Sequence, residues 1–297
     1  MAAITWRRVV KQYRRLRALD GLSLEVPRGS ICGLVGSNGA GKTTAFAIAA
    51  GLTHPDEGCV EVFGSPFDPA RDSGRLTLLP QDSELPADSR PREFLAFLGR
   101  LQGLSNRAAE SEADRLLDLV HLSDRGRVPA RTLSHGMRKR LMIAQCFIGM
   151  PEIVLLDEPL SGLDPREVAH IREFLITQRG RRTIVISSHN LYEIEVLCDH
   201  VAFIERGRTV RSGPLHELTG LRNQFQVRLS AGAEPPVTAL QSALPNAAIV
   251  WSSDEHLLTI RYDGRNAAPD AVSTVVLRTL LEAGMPILAL SPGERLE

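Results

Sequence analysis

The chain has no apolar run long enough to cross a bilayer. Its longest uncharged apolar stretch, Leu141 to Met150, is about half of the ~20 residues that a spanning helix requires. Any membrane part of its work is therefore expected from another chain. The N-terminus, Met1-Ala2-Ala3-Ile4-Thr5-Trp6-Arg7-Arg8, sets no long apolar core behind its charges, so no signal peptide is expected. Net charge is also missing: 35 basic residues balance 35 acidic ones. That balance removes any global attraction to nucleic acid or to an anionic membrane and leaves only local patches. The cysteines, Cys32, Cys59, Cys146 and Cys198, form no Cys-x-x-Cys pair and no ligand spacing with a histidine. They read as small buried hydrophobes in a reducing compartment. What is present suffices for an ample core, because 297 residues at 43% hydrophobic describe a globular protein whose length suggests two domains.

The most informative stretch is Gly36, Ser37, Asn38, Gly39, Ala40, Gly41, Lys42, Thr43 and Thr44. An apolar run short enough to be a buried strand, Ile31 to Val35, precedes it, and the apolar helix body Ala45 to Ala50 follows. Strand, Gly-rich loop and helix in that order match the P-loop pattern, in which backbone N–H groups curl round a phosphate chain. The helix N-terminus turns its unpaired donors and positive dipole end toward the same anion. Lys42 is expected to reach the β- and γ-phosphates, and the Thr43 hydroxyl to ligate Mg²⁺.

Other strands end in polar residues. Leu22 to Val26 alternates as antiparallel β structure within residues 2 to 30, and Cys59 to Phe63 is a strand ended by Gly64-Ser65-Pro66. Arg75 to Leu79 is a strand closed by Pro80, with Gln81 at its carboxyl end, where ligands bind in open α/β sheets. Ile153 to Leu156 reads as a central parallel strand tipped by Asp157 and Glu158. Two adjacent carboxylates repel unless a cation is near. Beside Lys42 and Mg²⁺, Asp157 is expected to hold the metal's water shell and Glu158 to polarise the attacking water. Thr183 to Ser187 is a further buried strand, and His189 lies just past its tip.

Helices complete the pattern. Phe94, Leu95, Phe97, Leu98 and Leu101 recur at helical spacing, and Ser105 caps a second helix carrying Ala113, Leu116, Leu117 and Val120. The arginines there alternate with Glu110, Glu112, Asp114 and Asp118, which describes a solvated helix face. Ser134 is a good N-cap for a helix running to Ile148, yet Arg138, Lys139 and Arg140 in its first turns oppose the helix dipole. That disagreement points to an anion at this helix start. Asp164 caps a helix from Arg166 to Gln178, with Pro165 at its first position.

Taken in order, these residues resemble the ATP-binding cassette ATPases, the nucleotide-binding subunits of ABC transporters, over about residues 1 to 215. The P-loop at Gly36 to Thr44, a Q-loop at Gln81, a signature at Leu133 to Met137, the Asp157-Glu158 strand, a D-loop at Ser161 to Asp164 and the H-loop His189 match. The signature departs from Leu-Ser-Gly-Gly-Gln by carrying His135 and Met137, but it keeps Ser134 and Gly136. The resemblance implies that Tyr13 stacks on adenine and that Gln81 joins Thr43 and Asp157 at Mg²⁺. It further implies that Ser134 and Gly136 touch the γ-phosphate, with His135 turned away. His189 then holds the γ-phosphate and attacking water in line, and Asp164 belongs to the composite site. Two cassettes are implied to pack head to tail, each ATP lying between the P-loop of one and the signature of the other.

The implied fold is α/β: a P-loop ABC ATPase core of mixed β-sheet with helices over 1–219, with an α-helical subdomain at about 88–150. For 220–297 the elements read β-α-β-β-α-β, a ferredoxin-like α+β order, from Phe225-Leu229, Pro236-Leu244, Ala247-Trp251, Leu257-Tyr262, Asp270-Ala283 and Pro286-Leu290. Such extensions resemble those of ABC-2-type export ATPases, as does the Leu-Ser-x-Gly-Met-Arg-Lys-Arg signature. The expected partners are a membrane-spanning permease subunit and a second ATP-binding subunit, at the inner face of the cell membrane, with no nucleic acid. A cassette ATPase working on ribosomes or nucleic acid is the alternative, but its typical fused second cassette or long coiled-coil insertion is not read here. A binding-only cassette is opposed by intact Lys42, Asp157, Glu158 and His189.

Overall fold

The computed structural model describes residues 1–218, 223–230, 232–262 and 269–292. Two compact units emerge, Met1–Leu215 and His216–Glu297. The domain boundary expected between 219 and 220 lies outside the described residues.

The larger unit begins with two long antiparallel strands, β1 (Ala2–Tyr13) and β2 (Leu16–Pro27), followed by β3 (Ile31–Val35) and helix α1 (Lys42–Ala49). Next come β4 (Glu57–Val62), the two-residue β5 (Ser65–Pro66), the short α2 (Pro69–Asp72) and β6 (Leu76–Leu79). A helical stretch follows: α3 (Pro91–Leu101), α4 (Asn106–Leu119) and α5 (His135–Gln145). Then β7 (Ile153–Leu156), α6 (Pro165–Thr177), β8 (Thr183–Ser188), α7 (Leu191–Leu197), β9 (His200–Glu205) and β10 (Arg208–Pro214) complete it, and α8 (Leu215–Leu218) begins on its last residue and continues into the smaller unit.

The β content divides into two sheets. One is antiparallel in the order β2-β1-β4-β5, and the other has the order β10-β9-β3-β8-β7-β6. In the second sheet every neighbouring pair is parallel except β9 with β10. Burial follows from that arrangement. Every residue of β3, β7 and β8 is buried, because a parallel sheet is covered on both faces. The antiparallel strands instead alternate, as in β2, where Leu22, Leu24 and Val26 are buried and Ser23 and Glu25 are exposed. Trp6 of β1 ties the antiparallel sheet to α1: its indole N–H donates to Ala45 O at 3.0 Å.

The caps fall where the sequence places them. Ser105 accepts from Ala108 N–H, Ser134 from Met137 N–H, and Asp164 from both Arg166 and Glu167 N–H. The helix expected to run to Ile148 stops at Gln145. Cys146, Phe147 and Ile148 donate to the carbonyls three residues back, a tightened last turn that leads into Gly149 with φ 70°. Cys32, Cys146 and Cys198 are buried, and burial pushes the thiols of Cys32 and Cys146 up to about 12. Cys59 is only half-buried, because it shares the face of Glu61 while Val60 and Val62 point to the core.

The smaller unit runs β11 (Asn223–Leu229), α9 (Val237–Ala243), β12 (Ala248–Ser252), β13 (Leu257–Tyr262), α10 (Pro269–Glu282) and β14 (Ile287–Pro292). Its sheet has the order β12-β13-β11-β14 and each neighbouring pair is antiparallel. One face packs on the helices through Val227, Leu258, Ile260, Leu240, Val276 and Leu280.

Candidate functional site

The carboxyl ends of β3, β7 and β8 gather the chemistry-bearing residues, because these strands pair in parallel and therefore finish at one edge. After Val35 the chain turns through the glycine-rich loop into α1. No side chain caps α1, whose N-cap Gly41 has φ 108°, so its first backbone donors stay available to an anion. A Cβ at Gly41 would lie 2.6 Å from Ala18 O and 2.8 Å from Leu19 Cδ2, so this glycine is required by packing on β2 as well as by its backbone. Asn38, Gly39, Ala40, Gly41, Lys42, Thr43 and Thr44 line a cleft of about 290 Å³ together with Leu16, Ala18, Gln81 and Glu158.

Lys42 is 6% exposed, and its Nζ donates to Gly36 O at 2.7 Å and Ser37 O at 3.3 Å. The same Nζ lies 3.3 Å from Glu158 Oε1, and His189 Nδ1 lies 2.9 Å from Glu158 Oε2. Glu158 thus stands between the P-loop lysine and the histidine. Its backbone takes φ 48°, the left-handed region that costs a non-glycine residue about 1–3 kcal/mol and persists where surroundings enforce it. Asp157 takes a different direction. Its Oδ1 accepts from Ser187 Oγ, while its Oδ2 is buried without a hydrogen-bond partner. A buried carboxylate oxygen without a hydrogen-bond partner fits the hard, oxygen-seeking chemistry of Mg²⁺, although Asp157 itself is outside the cleft lining. Among the described residues there is no group of three or more His, Cys, Asp and Glu set for a metal, and Mg²⁺ with its retained waters needs no such cage.

Several expected members lie elsewhere on the chain. Tyr13 ends β1, 44% exposed, with the Lys11 ammonium 5.5 Å from its ring centroid, and is outside the cleft lining. Leu16 and Ala18 of the next strand supply apolar lining instead. Ser134 and Gly136 also lie outside that lining. Gly136 packs so closely on Glu167 of α6 that a Cβ would collide with that side chain. Buried Arg140 braces the same place, with Nε 2.7 Å from Glu167 Oε2 and Nη1 donating to Val120 O at 2.6 Å. His135 is exposed at the start of α5 and lines, with Gln81, Asp82, Arg138 and Lys139, a second groove of about 450 Å³. Asp164 caps α6. Ser187 is the residue that sequence reasoning missed. A serine ending an apolar run carries little signal, and its value comes from standing beside Asp157 across the β7–β8 register.

A sheet of mostly parallel strands whose β3 leads through a glycine-rich loop into an uncapped helix, with two carboxylates at the tip of β7, defines a P-loop nucleotide-binding protein. The ABC transporter family profile matches residues 19–161. The daunorubicin resistance ATP-binding protein DrrA3 of Streptomyces coeruleorubidus is 35% identical over 288 residues, covering 95% of this chain and 89% of that one. Nod factor export ATP-binding protein I of Burkholderia lata is 38% identical over 223 residues, covering 73% of each. The chain belongs to the ATP-binding proteins of the ABC transporter family. Solved structures agree in fold: cbiO1 of Clostridium perfringens, part of the ABC transporter complex cbiONQ, superposes with TM-score 0.66 at 26% identity over 73% of this chain and 90% of that one. A bacterial Atm1-family ABC exporter with ATP bound superposes with TM-score 0.65 at 28% identity over 73% of this chain and 39% of that one. The larger unit is accordingly an ABC ATPase cassette that binds ATP, and the family's reaction is ATP hydrolysis. Among the described residues no helix is long and apolar enough to cross a membrane.

Proposed function

We propose that this chain is the ATP-hydrolysing subunit of an ABC-2-type exporter, and that two cassettes close head to tail over two ATP molecules to drive transport. The observation that carries this reading is the separation of the two halves of the site. The P-loop cleft contains Lys42, Thr43, Gln81 and Glu158, while Ser134 and Gly136 belong to none of its lining. A second cassette would bring its own signature helix, dipole end first, to the γ-phosphate. The relatives named for daunorubicin resistance and for Nod factor export support the direction of transport. The membrane-spanning permease then comes from a separate chain, and the cassette works at the inner face of the cell membrane.

In this reading Gly36 to Thr44 wrap the phosphates, and Tyr13 stacks on adenine above the apolar Leu16 and Ala18. Lys42 exchanges Glu158 for phosphate oxygens as its anionic partner, which leaves Glu158 to take the proton of the attacking water. His189, hydrogen-bonded to that carboxylate at 2.9 Å, keeps it aimed and positions the γ-phosphate. Thr43, Asp157 and Gln81 would hold Mg²⁺, which when bound neutralises charge on the phosphates. Water oxygen bonds to the γ-phosphorus as the bond to the β–γ bridging oxygen breaks, giving ADP and phosphate. Ser134, Gly136 and Asp164 act across the dimer interface, so binding ATP joins the cassettes and hydrolysis releases them.

The test is Glu158→Gln. It is expected to keep ATP affinity, to lose hydrolysis by about 10²–10⁴-fold, and to accumulate as a nucleotide-bound dimer by size-exclusion chromatography with light scattering. Near-normal cleavage by this variant in a single turnover would overturn the assignment.

A further inference from the structure

Leu156 of β7 pairs with Ile186 of β8, so the next residues, Asp157 and Ser187, stand side by side where the two strands leave the sheet. Ser187 is 0% exposed. That hydroxyl donates to Asp157 Oδ1 and accepts from the backbone N–H of Glu158 at 2.8 Å. One oxygen therefore uses its donor on one residue and its acceptor on the next.

The consequence is geometric. Two successive residues of a strand would ordinarily point to opposite faces, but Glu158 leaves the strand with φ 48°. Its amide is the group that Ser187 holds in that turned conformation. The two carboxylates are thereby sent to different partners. Asp157 has one oxygen on Ser187 and one buried and open, while Glu158 has Lys42 at 3.3 Å and His189 at 2.9 Å. Loss of the hydroxyl would free Asp157 to rotate and would leave a buried N–H without its acceptor.

We propose that Ser187 is a positioning residue for ATP hydrolysis: its hydroxyl fixes the Asp157 carboxylate toward the divalent cation that accompanies ATP and the Glu158 backbone toward the attacking water. This rests on the function proposed above. It goes beyond that function by assigning a role to a side chain that touches neither nucleotide nor metal, in the manner of outer partners that orient a metal's ligands.

Ser187→Ala and Ser187→Thr separate the hydroxyl from the volume it occupies. In Ser187→Ala, kcat is expected to fall about 10- to 100-fold. ATP affinity measured by calorimetry in EDTA should stay at the wild-type value. The gain in ATP affinity on adding Mg²⁺ should shrink, and Mn²⁺ bound with ADP, followed by electron paramagnetic resonance, should dissociate more readily. Ser187→Thr restores both kcat and metal dependence to within a few-fold of wild type. A purely structural serine would instead lower the melting temperature and leave the Mg²⁺ gain untouched, and that result overturns the proposal. So does a folded Ser187→Thr as defective as Ser187→Ala, because volume rather than the hydroxyl would then matter. The metal measurements do not depend on turnover. A wild-type chain without ATPase activity would sink the proposed function, whereas Ser187→Ala with wild-type metal affinity would sink this assignment alone.

Discussion

The largely parallel sheet of the larger unit and the antiparallel sheet of the smaller unit solve burial differently. In the larger unit β3, β7 and β8 are buried along their whole length. In the smaller unit β11 alternates: Phe225, Val227 and Leu229 are buried, Arg228 is exposed and Gln226 lies between. A polar residue in the first kind of strand is conspicuous, because it must end the run or be satisfied by a neighbour. In the second kind a polar residue such as Gln226 or Arg228 simply takes an outward position. Chemistry is therefore concentrated at the tips of fully buried strands, at Asp157, Glu158 and His189, whereas the exposed positions of the smaller unit's sheet mix Arg228 and Arg261 with Val250 and Leu288. The lesson is that the same side chain carries different information in the two sheets.

That contrast can be broken most severely in the smaller unit's core. Leu258 is 0% exposed and packs among Val227, Ile260 and the helices. Leu258→Ala is expected to cost about 2–5 kcal/mol, visible in calorimetry as a transition that moves to lower temperature. If the site belongs to the larger unit alone, ATP affinity below that transition stays at the wild-type value. A parallel loss of affinity would mean that the smaller unit shapes the cleft.

The converse change is smaller in energy and local to the strand tips. Lys42→Ala removes the charged donor at the centre of the cleft, and hydrogen bonds to charged groups are worth about 1.5–3 kcal/mol, roughly 10- to 100-fold in affinity. Calorimetry with ATP should show that loss, while Glu158 keeps His189 as a partner and the smaller unit's melting does not move. Unchanged ATP binding would remove Lys42 from the phosphate site.

How much of this was legible follows the same line. The P-loop, the strand tips and three helix caps could be read because each is a local pattern: an apolar run, a break and a capping side chain. Ser187 could not, since its meaning lies in the register that sets Leu156 against Ile186. Gly136 was read only through its resemblance to a signature; the sequence holds no sign that Glu167, 31 positions along, fills the space its missing Cβ leaves. The sequence carries α5 too far because Cys146, Phe147 and Ile148 are apolar and helix-compatible. A tightened turn before Gly149 overrode that local preference. Ser187 and Gly136 owe their meaning to segments far apart in the chain, whereas the end of α5 is set by a local turn.

The smallest effect tests whether the signature helix senses the strand tips at all. Lys139 of α5 lines the groove that also contains Gln81 and Asp82. Burial pulls its ammonium below the usual lysine range, against the opposing attraction of Asp82, Asp157 and Glu158. An amine reacts as its neutral form, so Lys139 is expected to be acylated at lower pH than an ordinary lysine. The sign for stability follows from linkage. The unfolded chain binds this proton more tightly, so stability at this residue rises as pH climbs from the folded value toward the unfolded one. Glu158→Gln removes one of the opposing charges and should shift the Lys139 labelling profile further down in pH. Peptide mapping by mass spectrometry after acylation between pH 7 and 10 reads both shifts. An unmoved profile in Glu158→Gln would mean that the helix start and the carboxylates of the same chain are electrostatically independent.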